Sequence, residues 1–296
     1  MTVPTAPESA VMPEWFRKAI ASRPEHADVA VRGVNVHARV WGDRSLPGLV
    51  LIHGGSAHSG WWDHIAPMLA EAHRVAAIDL SGHGDSGWRE AYDMATWGQE
   101  VIAVAAELID GPPIVVGHSM GGGVALAAVA DHPDKVDGLM VIDTPLDPRQ
   151  LERDGMRPAL RPPRTYENFE DAVARFRTIP EQAFVLPYVS RHVAEESLRQ
   201  REGLWTWKYD PSFLNNQSGD RTLSQILAAV QGRSVCFRGE FGLVTPEMVA
   251  RMREAFGTRV PVVELPLAGH HPMLDQPLTL VTAISTALAV WEAARA

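Results

Sequence analysis

Residues 117–121 read Gly-His-Ser-Met-Gly, the pattern G-x-S-x-G that places a serine on a sharp turn between a strand and a helix. An apolar stretch at 114–116 precedes the pattern and a small-residue stretch at 122–130 follows it, which predicts strand, turn and helix in that order. Glycine on both sides leaves room for a strained serine backbone, which exposes the hydroxyl above the sheet edge. Ser119 is therefore predicted to be a nucleophile.

A serine hydroxyl is a weak nucleophile until a neighbouring base accepts its proton. With this serine turn, the base is a histidine that comes later in the chain than the serine and the acid. Four histidines follow the serine: His132, His192, His270 and His271. The first ends a helix, and the second lies in a charged stretch that predicts a solvated helix face. The third follows the glycine of a loop after the last predicted strand. We therefore predict that His270 is the base and that His271 packs beside it or caps the next helix.

Ester chemistry at a serine also requires N–H donors for the oxyanion that forms during attack. One donor is expected from Met120, the residue after the nucleophile. The other is expected from a loop after an earlier strand, and residues 49–52 followed by the loop 53–56 fit that position. We predict that the second donor is the amide of Gly55.

Several further motifs stand in the same order along the chain as in one large family. They are His53-Gly54-Gly55 with Trp61-Trp62, the stretch 77–86, the serine turn, 132–136 and Ala268-Gly269-His270. On these residues the chain resembles the α/β-hydrolase superfamily over nearly its whole length. The resemblance implies an α/β fold: an eight-stranded, mostly parallel sheet flanked by helices, with a helical cap inserted after the sixth strand. It also implies a Ser-His-acid triad that works without a cofactor.

The acidic residue departs from the commonest pattern of that family. The usual Asp after the seventh strand is missing, and Gly242 stands in its position. Some relatives take the acid from the end of the sixth strand, where this chain has Asp143. We rank Asp143 first and Glu240 second as the acid. The alternatives are that Asp143 only forms a turn before Thr144-Pro145, and that Glu240 is a solvated loop carboxylate.

The motif order predicts a hydrolase core at 1–143 and 219–296 and a cap at 144–218. Within the cap we expect short helices at 168–178 and 193–203. The cap is rich in aromatic residues, most of which should anchor it to the core. The residues predicted to line a substrate pocket are Gly54, His58, Trp61, Trp205 and Trp207.

Composition limits the partners that the protein can have. The net charge of −9 without a dense basic cluster argues against nucleic acid and anionic membranes, so a small-molecule substrate is expected. The single Cys236 is expected to be a buried packing residue. No metal site is expected, and His83-Gly84-Asp85 is interpreted as a turn. A cytoplasmic protein is the expectation, and the oligomeric state stays open, with a homodimer as one alternative.

The leading hypothesis is hydrolysis of a carboxylic ester or lactone through an acyl-serine intermediate. Two alternatives stay open: cleavage of a C–C bond in a vinylogous diketone, and a non-catalytic member of the fold that only binds a ligand. Serine at position 119 argues against haloalkane dehalogenase and epoxide hydrolase chemistry, because both need a carboxylate nucleophile.

Overall fold

The computed structural model describes residues 12–145, 164–216, 232–256 and 259–295. The strands in chain order are β1 (Glu25–Val31), β2 (Val34–Trp41), β3 (Gly48–Ile52), β4 (Arg74–Ile78), β5 (Ile114–His118), β6 (Gly138–Ile142), β7 (Leu198–Arg201), β8 (Leu204–Trp207), β9 (Arg233–Phe241) and β10 (Val262–Gly269). Eight of them form one sheet in the order β1-β2-β4-β3-β5-β6-β9-β10. The predicted eight-stranded α/β fold is confirmed.

The sheet is parallel from β4 across to β10 and antiparallel at the β1, β2 and β4 pairings. Strands β1 and β2 form a hairpin, which turns at Arg32 and Gly33, both with positive φ. Every residue of β3, β4, β5 and β6 is buried. Burial of both faces is typical of parallel strands that helices cover on either side, and it explains their uninterrupted apolar sequences.

The helices are α1 (Glu14–Ala21), α2 (Ala66–Leu69), α3 (Met94–Leu108), α4 (Met120–Asp131), α5 (Phe169–Val173), α6 (Pro187–Glu196), α7 (Pro246–Phe256), α8 (Pro272–Asp275) and α9 (Pro277–Ala293). They divide the core into two clusters, one on each face of the sheet. Alternate residues of β3 belong to opposite clusters: Val50 packs with Trp97, and Leu51 packs with Trp62. Within the described ranges, no helix is both long and apolar enough to cross a membrane.

The segment between β6 and β9 contains α5, α6 and the separate β7–β8 hairpin. The helix predicted at 193–203 is wrong, because α6 ends at Glu196 and the chain then enters the hairpin. Glu202 and Gly203 both have positive φ, which suits the tight turn of a two-residue hairpin loop. The predicted helix at 168–178 is shorter, at Phe169–Val173. The cap boundary predicted at 218–219 lies outside the described residues.

Candidate active site

The serine turn joins β5 to α4 through a strained residue. Ser119 has φ 52° and ψ −120°, a conformation that costs free energy in any residue other than glycine. Its backbone N–H donates to the Ile142 carbonyl at 3.0 Å, which ties the turn to the end of β6. A Cβ at Gly117 would overlap the Gly121 carbonyl, and one at Gly121 would overlap the His53 and Ile52 carbonyl oxygens, so both glycines of the pattern are required sterically.

Ser119, His270 and Asp143 form one continuous chain of hydrogen bonds. The Ser119 Oγ lies 2.9 Å from His270 Nε2, and His270 Nδ1 lies 2.6 Å from Asp143 Oδ2. The three residues follow β5, β10 and β6, whose carboxyl ends meet at one edge of the parallel sheet. The Asp143 side chain is fully buried and the His270 side chain nearly so. A carboxylate in this position can hold the imidazole in the tautomer that accepts a proton at Nε2.

The loop after β9 surrounds the Asp143 carboxylate with backbone donors. Its Oδ1 accepts from Gly239 N at 3.1 Å and from Val244 N at 3.4 Å, and its Oδ2 accepts from Leu243 N at 2.7 Å. Such donors stabilise the charge of a buried carboxylate. The Asp143 backbone thus follows β6, but its carboxylate is bound by the loop after β9. In chain order, β9 is the seventh strand of the large sheet.

Glu240, the second-ranked acid, points elsewhere. Its Oε2 accepts the Leu267 N–H at 2.8 Å, at the irregular part of β10. Leu267 has φ 58° and is largely exposed, so Glu240 supports a strained bulge on the surface. The Arg238 side chain donates to the Glu240 backbone carbonyl and pairs with the Glu264 carboxylate instead.

His271 packs against His270, with ring centroids 4.6 Å apart. Its Nε2 lies 3.2 Å from the Ile179 carbonyl, and its backbone N–H donates to the Gln182 side-chain oxygen. Burial, followed by the nearby positive charge of a protonated His270, holds the pKa of His271 well below its usual range. His271 is therefore a neutral ring that anchors the loop through its Nε2 proton.

The loop after β3 lies directly against the serine. A Cβ built on Gly54 would be 3.3 Å from Ser119 Cβ, and one on Gly55 would be 3.7 Å from Met120 Sδ. The His53 ring fixes this loop, since its Nδ1 donates to the Gly54 carbonyl at 2.7 Å and its Nε2 accepts from the Leu80 N–H at 3.1 Å. Gly55 and Met120 thus stand next to each other beside Ser119.

The aromatic pocket candidates fall into different surroundings. Trp61 packs against His271 and Phe176 at ring distances of 5.4 Å and 5.9 Å, which places it beside the His270 loop. Trp205 instead packs on Phe169 at 4.8 Å, among the residues that join α5 to the hairpin. Trp207 contacts Phe176 at 6.0 Å. Phe176 therefore connects the Trp61 side of the site to the hairpin.

His58 is buried, and it forms a hydrogen bond between the core and α6. Its Nε2 lies 2.8 Å from the Ser197 hydroxyl, which itself donates to the Val193 carbonyl at 2.6 Å. Its Nδ1 accepts from Gly60 N at 3.1 Å. Both ring nitrogens of His58 therefore have structural partners.

Two residues near the site were not singled out from the sequence. Phe213 is 1% exposed, and its ring would lie 3.5 Å from a Cβ on Gly55, so it packs against the predicted oxyanion loop. Gln182 accepts the His271 N–H and donates to Asp275 Oδ2, which accepts the Gly269 N–H. Phe213 could have been distinguished from the other cap aromatics only by knowing where residues 211–216 return to the core.

His192 does not lie on a solvated face, contrary to expectation. It is half-buried, and its Nε2 lies 3.0 Å from Asp63 Oδ2. The same carboxylate accepts from Arg39, which also pairs with Glu196 of α6. Glu196 therefore forms an ion pair between α6 and the core, whereas Arg191 is exposed and pairs with Glu170 and Glu195.

Two groups of side chains bring potential metal ligands together. One atom from each of His118, His270 and His271 lies within 4.8 Å of the others. The second group is His37, Asp79 and Asp85. Its members already have partners: Asp79 accepts from His37 at 2.8 Å and from the Asp85 N–H at 2.9 Å. Asp85 pairs with Lys208 at 2.9 Å.

Cys236 is buried in β9, as expected. Burial raises the pKa of its thiol to about 12, so the thiolate that nucleophilic chemistry needs is strongly disfavoured at neutral pH.

The comparisons with known proteins agree with this architecture. A family model described as "Alpha/beta hydrolase family" matches residues 49–284. The esterase Rv0045c of Mycobacterium tuberculosis is 29% identical over 297 residues, which cover 93% of each chain. A pimeloyl-(acyl-carrier protein) methyl ester esterase of Edwardsiella ictaluri is 26% identical over 77% of this chain and 88% of its own.

Among solved structures, E-2-(acetamidomethylene)succinate hydrolase superposes with a TM-score of 0.74 at 21% identity. The superposition covers 90% of this chain and 99% of the other. The crystal structure of the Mycobacterium tuberculosis esterase superposes with a TM-score of 0.73 at 23% identity, over 95% and 100% of the two chains. The segment matched by the family model, residues 49–284, runs from β3 into α9 and includes the serine turn and the His270 loop. The chain belongs to the alpha/beta hydrolase family.

Proposed function

We propose that this protein hydrolyses a carboxylic ester or lactone through an acyl-serine intermediate. The observation that carries the proposal is the chain of hydrogen bonds from Ser119 Oγ through His270 to Asp143, with distances of 2.9 Å and 2.6 Å. A base within hydrogen-bond distance of a serine, itself oriented by a carboxylate, is the arrangement that activates a hydroxyl nucleophile. The esterases among the relatives support the same class of reaction.

In the acylation step, Ser119 Oγ attacks the carbonyl carbon while its proton passes to His270 Nε2. The carbonyl oxygen becomes an oxyanion, which accepts hydrogen bonds from the Gly55 and Met120 amides. The bond from carbon to the alcohol oxygen then breaks, and His270 gives its proton to that oxygen. The alcohol leaves, or remains attached as part of the acyl chain if the substrate is a lactone.

In the deacylation step, water attacks the acyl-serine and His270 accepts the proton of the water. The bond between carbon and Ser119 Oγ breaks, and the proton returns to the serine. Asp143 stays ionised throughout and stabilises the imidazolium that forms in both steps. Apart from the attacking water, every group that acts on the substrate in these two steps belongs to the chain itself.

The surroundings of the serine favour a neutral, apolar substrate. Phe213 and Met120 lie beside Gly55, and Trp61 with Phe176 lies on the side of the His270 loop. A net charge of −9 also disfavours approach of an anionic ester. We therefore propose that the acyl or alcohol part is apolar and carries no carboxylate.

The test is a hydrolysis screen over short acyl esters, long acyl esters, lactones and dienone substrates, run beside Ser119→Ala. Each acyl ester is paired with an analogue that ends in a carboxylate. We expect turnover of neutral esters or lactones by the wild type and none by the variant. Turnover of the dienones alone would assign C–C bond hydrolysis instead. Absence of both turnover and fluorophosphonate labelling would assign a protein that only binds its ligand.

A further inference from the structure

His270 is held from both sides by two side chains outside the triad. The residue before it, Gly269, donates its N–H to Asp275 Oδ2 at 2.6 Å. The residue after it, His271, donates its N–H to Gln182 Oε1. The two side chains are joined to each other, because Gln182 Nε2 donates to Asp275 Oδ2 at 2.9 Å. The N–H groups of the residues before and after His270 therefore donate to two side chains, Asp275 and Gln182, that are hydrogen-bonded to each other.

The packing around this pair leaves little free space. A Cβ added at Gly269 would lie 2.8 Å from Gln182 Cδ and 3.0 Å from Asp275 Oδ2. Glycine at 269 thus allows the Gln182 amide to reach the loop backbone. Asp275 is 6% exposed, and the N–H groups described above are neutral donors. A buried carboxylate is costly without charge-matched partners. Here Oδ2 accepts both hydrogen bonds, and the buried Oδ1 has no hydrogen-bond partner among the described residues.

Gln182 comes from the segment between β6 and β9, whereas the His270 loop follows β10. Two further bonds join the same two segments. His271 Nε2 lies 3.2 Å from the Ile179 carbonyl, and Leu186 N donates to the Leu274 carbonyl at 2.9 Å. Hydrogen bonds from three positions of the segment 179–186 therefore join it to the loop that carries His270 and to the helix that follows.

We propose that Gln182 and Asp275 are positioning residues, which hold the His270 backbone so that its ring spans Ser119 and Asp143, and that Gln182 makes this alignment depend on the segment between β6 and β9. The proposal rests on the proposed function, in which His270 is the base. A small rotation of the loop would lengthen the 2.9 Å contact from His270 Nε2 to Ser119 Oγ. Misplacement of a catalytic group on this scale lowers the rate of reaction more than it weakens substrate binding.

The pairing of Gln182 with Asp275 predicts that a carboxylate introduced at position 182 will have an effect that depends on pH. Replacing Gln182 by Glu keeps an acceptor for the His271 N–H but removes the donor to Asp275 and brings two carboxyl groups together. Burial already raises the pKa of Asp275 to about 6, and two adjacent carboxyl groups can share one proton at acidic pH. Titratable groups near the pair include Asp143, whose charge acts on Asp275, and His271, whose N–H donates to Gln182 and whose ring lies close to His118 and His270.

The experiment measures the rate at which a fluorophosphonate probe labels Ser119 between pH 5.5 and 8.5. This rate reports activation of the serine by His270 and needs no knowledge of the substrate. We expect Gln182→Glu to be labelled about ten-fold more slowly than the wild type at pH 8, with the deficit shrinking to about three-fold or less at pH 5.5. The matched control is Gln200→Glu, an exposed position on β7, which should stay within about two-fold of the wild type throughout.

Equal labelling of Gln182→Glu and the wild type at pH 8, or a deficit that does not change with pH, would overturn the proposal. If circular dichroism shows that Gln182→Glu does not fold, Gln182→Met replaces it. That change removes both hydrogen bonds without adding charge, so slower labelling at every pH is expected and an unchanged rate overturns the proposal. A wild type that is labelled but hydrolyses neither esters nor lactones refutes the proposed function alone, and a wild type that is never labelled refutes both.

Discussion

The Asp143 carboxylate occupies the space into which a side chain at Gly242 would project. A Cβ built on Gly242 would overlap both carboxylate oxygens of Asp143. Asp143 follows β6 and Gly242 follows β9, and these two strands are neighbours in the sheet. Two chain positions can therefore deliver an acid to nearly the same point beside His270, and only one of them can hold a side chain at a time.

This relationship predicts that the acid can be moved between strands. Asp143→Ala should be nearly inactive, since His270 loses its carboxylate partner. The double variant Asp143→Ala/Gly242→Asp should recover at least about ten-fold of the lost kcat, because the new carboxylate enters the vacated space. Ester hydrolysis by the three proteins is compared at pH 8. No gain in the double variant over Asp143→Ala would show that the two positions are not equivalent.

The choice of acid is tested separately with amide replacements. Asp143→Asn should lower kcat by about 10³-fold to 10⁴-fold with little change in KM, because the amide favours the wrong imidazole tautomer. Glu240→Gln is the control and should change kcat by less than about two-fold, since the new side-chain oxygen can still accept the Leu267 N–H. The reverse ranking of the two variants would assign the acid to Glu240.

Ser119 and His270 should act as one unit. Ser119→Ala and His270→Ala are each expected to reduce hydrolysis to the background level, and the double variant should be scarcely worse than either. Thermal unfolding should show that all three stay folded. If His271→Ala abolished activity while His270→Ala did not, the base would be His271.

Helix α4 offers a matched pair of glycines for testing the serine turn. A Cβ at Gly121 would lie 2.6 Å from the Ile52 carbonyl oxygen, whereas the nearest atom to one at Gly123 is Met94 Sδ at 3.6 Å. Gly121→Ala should therefore lower the free energy of unfolding by roughly 1–3 kcal/mol. Gly123→Ala should raise it by up to about 1 kcal/mol through helix propensity, as measured by urea unfolding. Equal effects would mean that the turn tolerates a shift of α4.

Burial raises the pKa of the Asp275 carboxyl from 3.8 to about 6, which predicts a pH-dependent contribution to stability. The folded protein binds this proton more tightly than the unfolded chain. The contribution is therefore fully present below pH 3.8 and is lost as the pH rises through 6. Relative to Asp275→Asn, the wild type should lose roughly 2–3 kcal/mol of unfolding free energy between pH 4 and 7.5. Asp134→Asn, an exposed change, should show no such trend, and parallel curves for the wild type and Asp275→Asn would contradict the prediction.

The sequence by itself was sufficient to predict the α/β fold and the local conformation around Ser119. Both depend on short-range patterns: apolar strands at regular intervals, and glycines that leave room for one strained residue. Such patterns act within a few residues, so they are visible without knowledge of the distant chain. The hairpin at β7 and β8 shows the limit, because the charged residues that follow α6 were predicted to be helical, whereas Glu202 and Gly203 form a turn with positive φ.

Only the tertiary structure decided which distant side chains meet. His270 and Asp143 are 127 positions apart, and Gln182 and Asp275 are 93 apart. The order of β6, β9 and β10 in the sheet brings these residues to one edge, and no local pattern specifies that order. The same reason explains His192, whose charged neighbours suggested solvent although its partner Asp63 comes from the core. Contacts of this kind depend on how strands and segments pack in three dimensions, which residue types alone do not determine.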